Sequence, residues 1–285
     1  MKNQTDKLVI VTGATSGIGF AIVLKLLESG YSVIGVGSKA ESCQNAKIKI
    51  TAQNPTAPVV FYNANLANQQ EIYALAHNIK EYLTLNPNLK LHCLINNAGG
   101  VRDWYMTTSE GYEYQFALNH LSGFLLTYLM VPLLKDGIVI FTASSSHKHT
   151  RIHWQDIMFQ KWYFVLSAYK QSKLCNVMTV KELNKRGIKA FAVDPGLVKT
   201  DIGNKGMTGI TRWFWNIHKK SGTDPEVPAQ TYVYLCNRPK SLGLYYYNSK
   251  IASYNKEVDK DSETMRLFAL SEKLCGISYK ERISS

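Results

Sequence analysis

Hydrophobic residues in this chain fall in short unbroken runs, separated by longer stretches with helical spacing. Residues 7–12 (KLVIVT), 31–37 (YSVIGVG), 59–62, 91–95 (LHCLI), 137–142 (GIVIFT), 189–193 (KAFAV) and 243–247 (GLYYY) read as strands. Between them, residues 17–29, 40–53, 69–85, about 109–134, 165–186 and 225–236 carry helical patterns. Runs that are apolar at every position suit strands covered on both faces, as in a parallel sheet. Strand alternating with helix then predicts right-handed crossovers and an α/β, doubly wound Rossmann-type parallel sheet flanked by helices. No linker, repeat or low-complexity tract divides the chain, so one domain is expected across residues 1–285. In such sheets ligands bind beyond the carboxyl ends of the strands, and the residues that follow each strand carry the candidate chemistry.

The first strand runs into Thr12-Gly13-Ala14-Thr15-Ser16-Gly17-Ile18-Gly19, directly before a helical pattern. Glycines permit a tight turn and let backbone approach a pyrophosphate without an intervening Cβ. The helix start offers that anion unpaired N–H groups and partial positive charge. The second strand ends in Val36-Gly37-Ser38-Lys39, with no acid before Glu41. An acid there would hold the ribose hydroxyls of NAD, whereas Ser38 and Lys39 suit the 2′-phosphate of NADP. Further on, Tyr169-Lys170-Gln171-Ser172-Lys173 places Tyr169 and Lys173 one helical turn apart on one face. A neighbouring ammonium and a positive nicotinium ring are expected to lower the phenol pKa from about 10, making Tyr169 a general acid and base. The cluster Thr142-Ala143-Ser144-Ser145-Ser146-His147 follows the fifth strand and offers hydroxyls to polarise a substrate oxygen.

With Asn96-Asn97-Ala98-Gly99 after the fourth strand and Asp194-Pro195-Gly196-Leu197-Val198-Lys199-Thr200 after the sixth, the motifs occur in a definite order. In this TGxxxGxG, NNAG, serine cluster, YxxxK and PGxVxT series the chain resembles the short-chain dehydrogenase/reductase family, from Leu8 to about Leu274. Residues 116–134, 172–176 (SKLCN) and 271–276 (SEKLCG) are similar to its retinol-dehydrogenase-like and WW-domain-oxidoreductase-like branch, although no WW domain is present. The resemblance implies roles for particular residues. Ser144 holds the substrate oxygen (Ser145 in an alternative register), Tyr169 supplies the proton, and Lys173 anchors the nicotinamide ribose and tunes Tyr169. Asn119 kinks the long fourth helix and serves a proton relay. Asn97, Ala98 and Gly99 line the cofactor; Pro195, Gly196, the Val198 backbone and the Thr200 hydroxyl fix the carboxamide. Asn65, with Leu66, stands where relatives often carry Asp beside the adenine. Two positions depart from the pattern: Ser38 replaces the Arg of many NADP users, and Asp194 replaces a His or Asn.

The substrate side is expected in two aromatic stretches. One lies between Ser144 and Tyr169, where the histidines are expected in the pocket or at the surface; the other is a lid at about 200–222. Aromatic lining suits a small apolar carbonyl or alcohol. Trp213 and Trp215, flanked by Arg212, Lys219 and Lys220, suit equally a packed lid, a dimer partner or peripheral contact with a membrane surface. Family members often form homo-oligomers through the fourth and fifth helices, which extends to this chain only by resemblance.

Charge and cysteine content narrow the setting. The formal net charge of +12 is concentrated in residues 151–285, with 22 Lys/Arg against 12 Asp/Glu. No nucleic-acid-binding motif accompanies it, so a solvated basic surface or attraction of an anionic cofactor is the expectation. Five cysteines without a CxxC pair imply neither a disulfide framework nor a metal site, and no metal is expected. No signal-peptide pattern or uninterrupted apolar span is read, and a cytoplasmic location follows as an expectation. The expected activity is hydride transfer between NADP (or NAD) and a carbonyl or alcohol. The alternative is a non-catalytic NADP(H)-binding regulatory protein, which would have no need of the Ser144, Tyr169 and Lys173 set.

Overall fold

The computed structural model describes residues 6–198, 222–238 and 243–280. Most of the expected lid, together with Thr200, lies outside the described residues. An eight-stranded sheet in the order β3-β2-β1-β4-β5-β6-β7-β8 forms the centre. Its strands are β1 (Lys7–Thr12), β2 (Ser32–Gly37), β3 (Val59–Asn63), β4 (Lys90–Asn96), β5 (Ile138–Thr142), β6 (Ala190–Asp194), β7 (Tyr245–Tyr247) and β8 (Lys250–Ile251). β1 to β7 pair in parallel and β8 closes the edge antiparallel to β7. Strands β1, β2, β5 and β6 are almost wholly buried, which is why their sequences show no alternation.

The helices are α1 (Gly17–Glu28), α2 (Ala40–Gln53), α3 (Gln69–Leu85), α4 (Tyr114–Leu134), α5 (Val165–Lys185), α6 (Glu226–Asn237) and α7 (Asp261–Cys275). α1 packs on α6 over one face of the sheet, while α3 on α4 and α5 on α7 cover the other. Strand order reverses between β1 and β4, so the crevice above Thr12 and Asn96 is the topological switch point.

α4 begins five residues later than its apolar pattern suggests. Gly111, at φ +81°, turns the chain, and the Glu113 carboxylate accepts from Gln115 N and Phe116 N at 2.8 and 2.7 Å. A side-chain cap at Glu113 sets the start, whatever the preceding residues favour. Ala117–Leu121 then forms one π-helical turn before α-helix resumes at Ser122. α4 is, among the described residues, the one helix long and apolar enough to cross a membrane, and most of it is buried against neighbouring elements.

Candidate active site

The turn after β1 is made of backbone. Gly13 and Gly17 adopt φ of +66° and +54°, conformations that other residues adopt only with strain. A Cβ on Gly19 would fall on the Gly13 carbonyl and the Asn97 amide, so the helix approaches the turn more closely than any side chain permits. α1 starts with Ser16 extended, no side-chain cap and no acid in its first turn. Its first N–H groups therefore face the crevice with the positive end of the helix dipole, which suits a pyrophosphate. Across the switch point, Thr12 Oγ1 accepts from Asn97 N and Ala98 N at 2.9 Å each. Asn97 Nδ2 donates to Thr12 O at 2.9 Å. The NNAG segment thus fixes β1 to β4 where the crevice opens.

At the end of β2, Ala14 N donates to Val36 O and Ala64 N to Gly37 O, both at 2.9 Å. These bonds bring Thr15, the exposed Ser38 and Lys39, and Asn65 to one end of the crevice. Asn65 Oδ1 accepts from Ala67 N at 3.2 Å. The Leu66 side chain points into the hydrophobic core, so only its backbone reaches the crevice.

The opposite end is made of side chains. The Tyr169 hydroxyl and the Ser144 side chain are hydrogen-bonded to each other, whereas Ser145 is exposed. Ser144 Oγ also accepts from Ser146 N at 3.3 Å and from Ser146 Oγ at 3.1 Å. Lys173 is buried, and its Nζ donates to Thr142 O at 3.1 Å. Burial lowers its pKa to about 8, although nearby Asp194 acts in the opposite direction.

The expected fall in the Tyr169 pKa is not seen in the chain alone. Burial raises it to about 12, and the bond to Ser144 offsets only part of that. Lys173 Nζ sits 5.6 Å from the centre of the phenol ring. Tyr169 is consequently held protonated at neutral pH.

Asn119 lies in the π-helical turn and clamps three neighbours. Its amide exchanges hydrogen bonds with Gly100 N and Gly100 O at 2.8 and 3.0 Å and donates to Ser172 Oγ at 3.0 Å. Ser172 Oγ in turn donates to Tyr169 O at 2.7 Å, so Asn119 braces the helix that carries Tyr169. A Cβ on Gly99 would lie 3.1 Å from Asn119 Oδ1 and 3.4 Å from Lys173 Nζ, which keeps this part of the crevice open to a ligand.

After β6, Asp194 caps the turn through Pro195 and Gly196. Its Oδ1 accepts from Gly196 N at 2.8 Å and its Oδ2 from Tyr245 Oη at 2.9 Å. The departure from His or Asn at this position thus has a structural partner in Tyr245. Val198 bridges to Thr223, whose N–H donates to Leu197 O at 2.8 Å.

Three further residues join the site without having been singled out in the sequence. Asn176, one turn beyond Lys173, donates to both Asn119 O and Thr142 O, at 2.9 and 3.2 Å. Its i+3 spacing from Lys173 was the available signal. Tyr245 and Asn255 reach the serine loop from the far end of the chain. His147, expected in a pocket or at the surface, is fully buried between them.

The family described as short chain dehydrogenase matches residues 7–209, and the chain belongs to that family. Within it the chain falls in the retinol-dehydrogenase-like branch. It is 31% identical to mouse retinol dehydrogenase 11 over 95% of this chain and 87% of that protein. It is 32% identical to human retinol dehydrogenase 13 over 95% and 85%. Among solved structures, a Burkholderia phymatum short chain dehydrogenase/reductase in complex with NAD is similar at TM-score 0.68 and 17% identity, covering 87% of this chain and 90% of that one. A Thermococcus sibiricus alcohol dehydrogenase complexed with 5-hydroxy-NADP gives TM-score 0.63 and 16% identity, covering 85% and 95%. The chain is an oxidoreductase of the class that uses a nicotinamide cofactor on CH–OH and C=O groups.

Proposed function

We propose that the chain reduces the carbonyl of an apolar small molecule with NADPH, the reverse oxidation being available to the same groups. The observation that carries this reading is the hydrogen-bonded Ser144–Tyr169 pair beside buried Lys173, with Tyr169 held in its protonated form. A bound nicotinamide supplies the hydride. Ser144 donates a hydrogen bond to the substrate oxygen, which polarises the carbonyl. Tyr169 Oη gives its proton to that oxygen as negative charge develops there. Lys173 holds the ribose and keeps positive charge beneath the phenol.

Support for NADPH comes from Ser38 and Lys39, exposed at the end of β2 where an acid would repel a 2′-phosphate. Support for an apolar substrate comes from exposed Trp104, Tyr105, Trp162 and Phe164, on segments that adjoin the NNAG loop and the start of α5. The relatives' name, retinol dehydrogenase, points to the same chemical class of alcohol and aldehyde.

Fluorescence titration of the purified protein with NADPH and NADH, followed by turnover of retinal and shorter apolar aldehydes, tests the reading. Tighter NADPH binding and measurable aldehyde reduction are expected. In Lys39→Asp, NADPH should weaken relative to NADH by about tenfold, roughly 1.4 kcal/mol. Unchanged preference in that variant removes Lys39 from the reading. Binding of NADPH without turnover of any carbonyl or alcohol leaves a cofactor-binding regulator instead.

A further inference from the structure

Ser144 needs its hydroxyl aimed at the substrate oxygen and at Tyr169 together, yet it begins a short turn that secondary structure alone does not fix. Toward β5 it is secured through the preceding residue, because Ala143 N donates to Val193 O at 2.8 Å. Beyond Ser144 the chain leaves the sheet and enters a 3-10 turn, Ser145–His149. His147, in that turn, is fully buried and returns to Ser144 twice. His147 N lies 3.1 Å and Nδ1 2.6 Å from Ser144 O. A carbonyl only accepts, so Nδ1 carries the hydrogen.

The other ring nitrogen is fixed from outside the turn. Asn255 N donates to His147 Nε2 at 3.2 Å, so Nε2 presents its lone pair. The two partners together select one neutral tautomer, and burial, which lowers the histidine's pKa, acts the same way. Asn255 Nδ2 adds bonds to His147 O and Thr150 O at 2.8 and 2.7 Å, holding the whole turn. The imidazole packs against the Tyr245 ring, with ring centres 4.9 Å apart and planes tilted by 50°. Tyr245 is itself tied through Asp194 to Gly196, at the start of the loop after β6.

We propose that His147 is a positioning residue that sets the orientation of Ser144, and that Asn255 and Tyr245 lock it in the required tautomer. The bond from Nδ1 to Ser144 O fixes the backbone from which the serine hydroxyl projects. Tyr245 and Asp194 link that fixed point to the turn at Gly196, so the serine and the loop after β6 are held by one buried chain of contacts. The role in catalysis rests on the reading under Proposed function; the geometric claim does not.

The test compares wild type with His147→Phe, His147→Asn and His147→Gln, following kcat, KM for an apolar aldehyde, NADPH affinity and melting temperature. Asparagine places its amide nitrogen where ring Nδ1 stands and restores the donor to Ser144 O; glutamine reaches toward the Nε2 position instead. His147→Phe should lose about tenfold to a hundredfold in kcat with little change in KM or NADPH affinity, as expected for a misplaced reacting group. His147→Asn should recover most of that loss, and His147→Gln less. Equal kcat in wild type and His147→Phe, or no advantage of Asn over Phe, overturns the proposal. If His147→Phe does not fold, the ordering of Asn above Gln decides it. If wild type binds NADPH but turns nothing over, the functional reading fails. Crystal structures then decide the positioning claim, because an unmoved Ser144–Tyr169 contact in His147→Phe, or in His147→Gln where the Phe variant does not fold, would overturn it.

Discussion

At one end of the crevice the groups that face a ligand are backbone N–H groups, placed by Gly13, Gly17 and Gly19. At the other end they are side chains, Ser144, Tyr169 and Lys173, each held by further side chains or by a carbonyl. The backbone end needs the absence of Cβ atoms and little else. The side-chain end needs buried polar groups, whose cost is met by hydrogen bonds from Asn119, Asn176 and His147. Under the proposed function the first end holds the anionic part of the cofactor and the second determines what reaction follows.

Substitutions confined to one end should leave the other working, and the largest effect belongs to the side-chain end. Tyr169→Phe should cut turnover by about 10²–10⁴-fold, the usual worth of a general acid, with NADPH binding retained. Loss of cofactor binding in that variant would show that the two ends are not separable. Ser144→Ala should cost about 10²-fold in kcat. Ser145→Ala, altering an exposed hydroxyl, should leave steady-state rates nearly unchanged, and equal losses in the two variants would remove the distinction drawn from the Ser144–Tyr169 bond. At the backbone end, Gly19→Ala drives a methyl group into the Gly13 carbonyl. It should lower stability by about 1–3 kcal/mol and weaken both dinucleotides alike, with kcat preserved at saturating cofactor. Melting curves and binding titrations would check it.

The smallest effect concerns Glu113, which caps the helix carrying Asn119. Burial raises its folded pKa to about 7, above the value of about 4.3 expected in the unfolded chain. The folded state therefore holds the proton more tightly between those values. Stability from this group is present below about pH 4.3 and lost as pH rises through about 7. Glu113→Gln should flatten the stability curve across that window, by on the order of 1–3 kcal/mol, in denaturant titrations at several pH values. An unchanged slope would mean that the carboxylate is not the group responsible.

The backbone end was legible in the sequence because glycine spacing is local: TGATSGIG carries its own geometry within eight residues. Strands β1 to β7 were legible for a similar reason, each read from a short apolar run; β8, two exposed residues, was not. At the side-chain end Tyr169 and Lys173 were legible because one helical turn holds both, Ser144 because it follows the fifth strand within a motif series, and Asn119 through the resemblance alone. His147 depends on Asn255, 108 residues away, and on Tyr245, and no local pattern connects them. Helix α7 escaped notice because its buried face includes Thr264 and Ser271 beside Leu267, Phe268 and Cys275, which blurs the apolar period. Those hydroxyls are buried with partners, Thr264 on Glu182 and Ser271 on His120. The direction of the Tyr169 pKa in the chain alone was not legible in sequence, because it is set by the degree of burial, which no local pattern shows.

The π-helical turn at Ala117–Leu121 makes the length of α4 as important as its composition. Each residue of an α-helix advances the chain by about 100° around the axis, so one extra residue would offset everything beyond it unless a wider turn absorbs it, as this one does. Deleting a single residue between 117 and 121 would let the helix run straight while keeping nearly all its hydrophobic content. The segments before and after the deletion would keep nearly the same facing, and only the residues of the wide turn itself would change direction. Asn119 would swing away from Gly100 and Ser172, and the brace on Tyr169 would be lost with no functional residue changed.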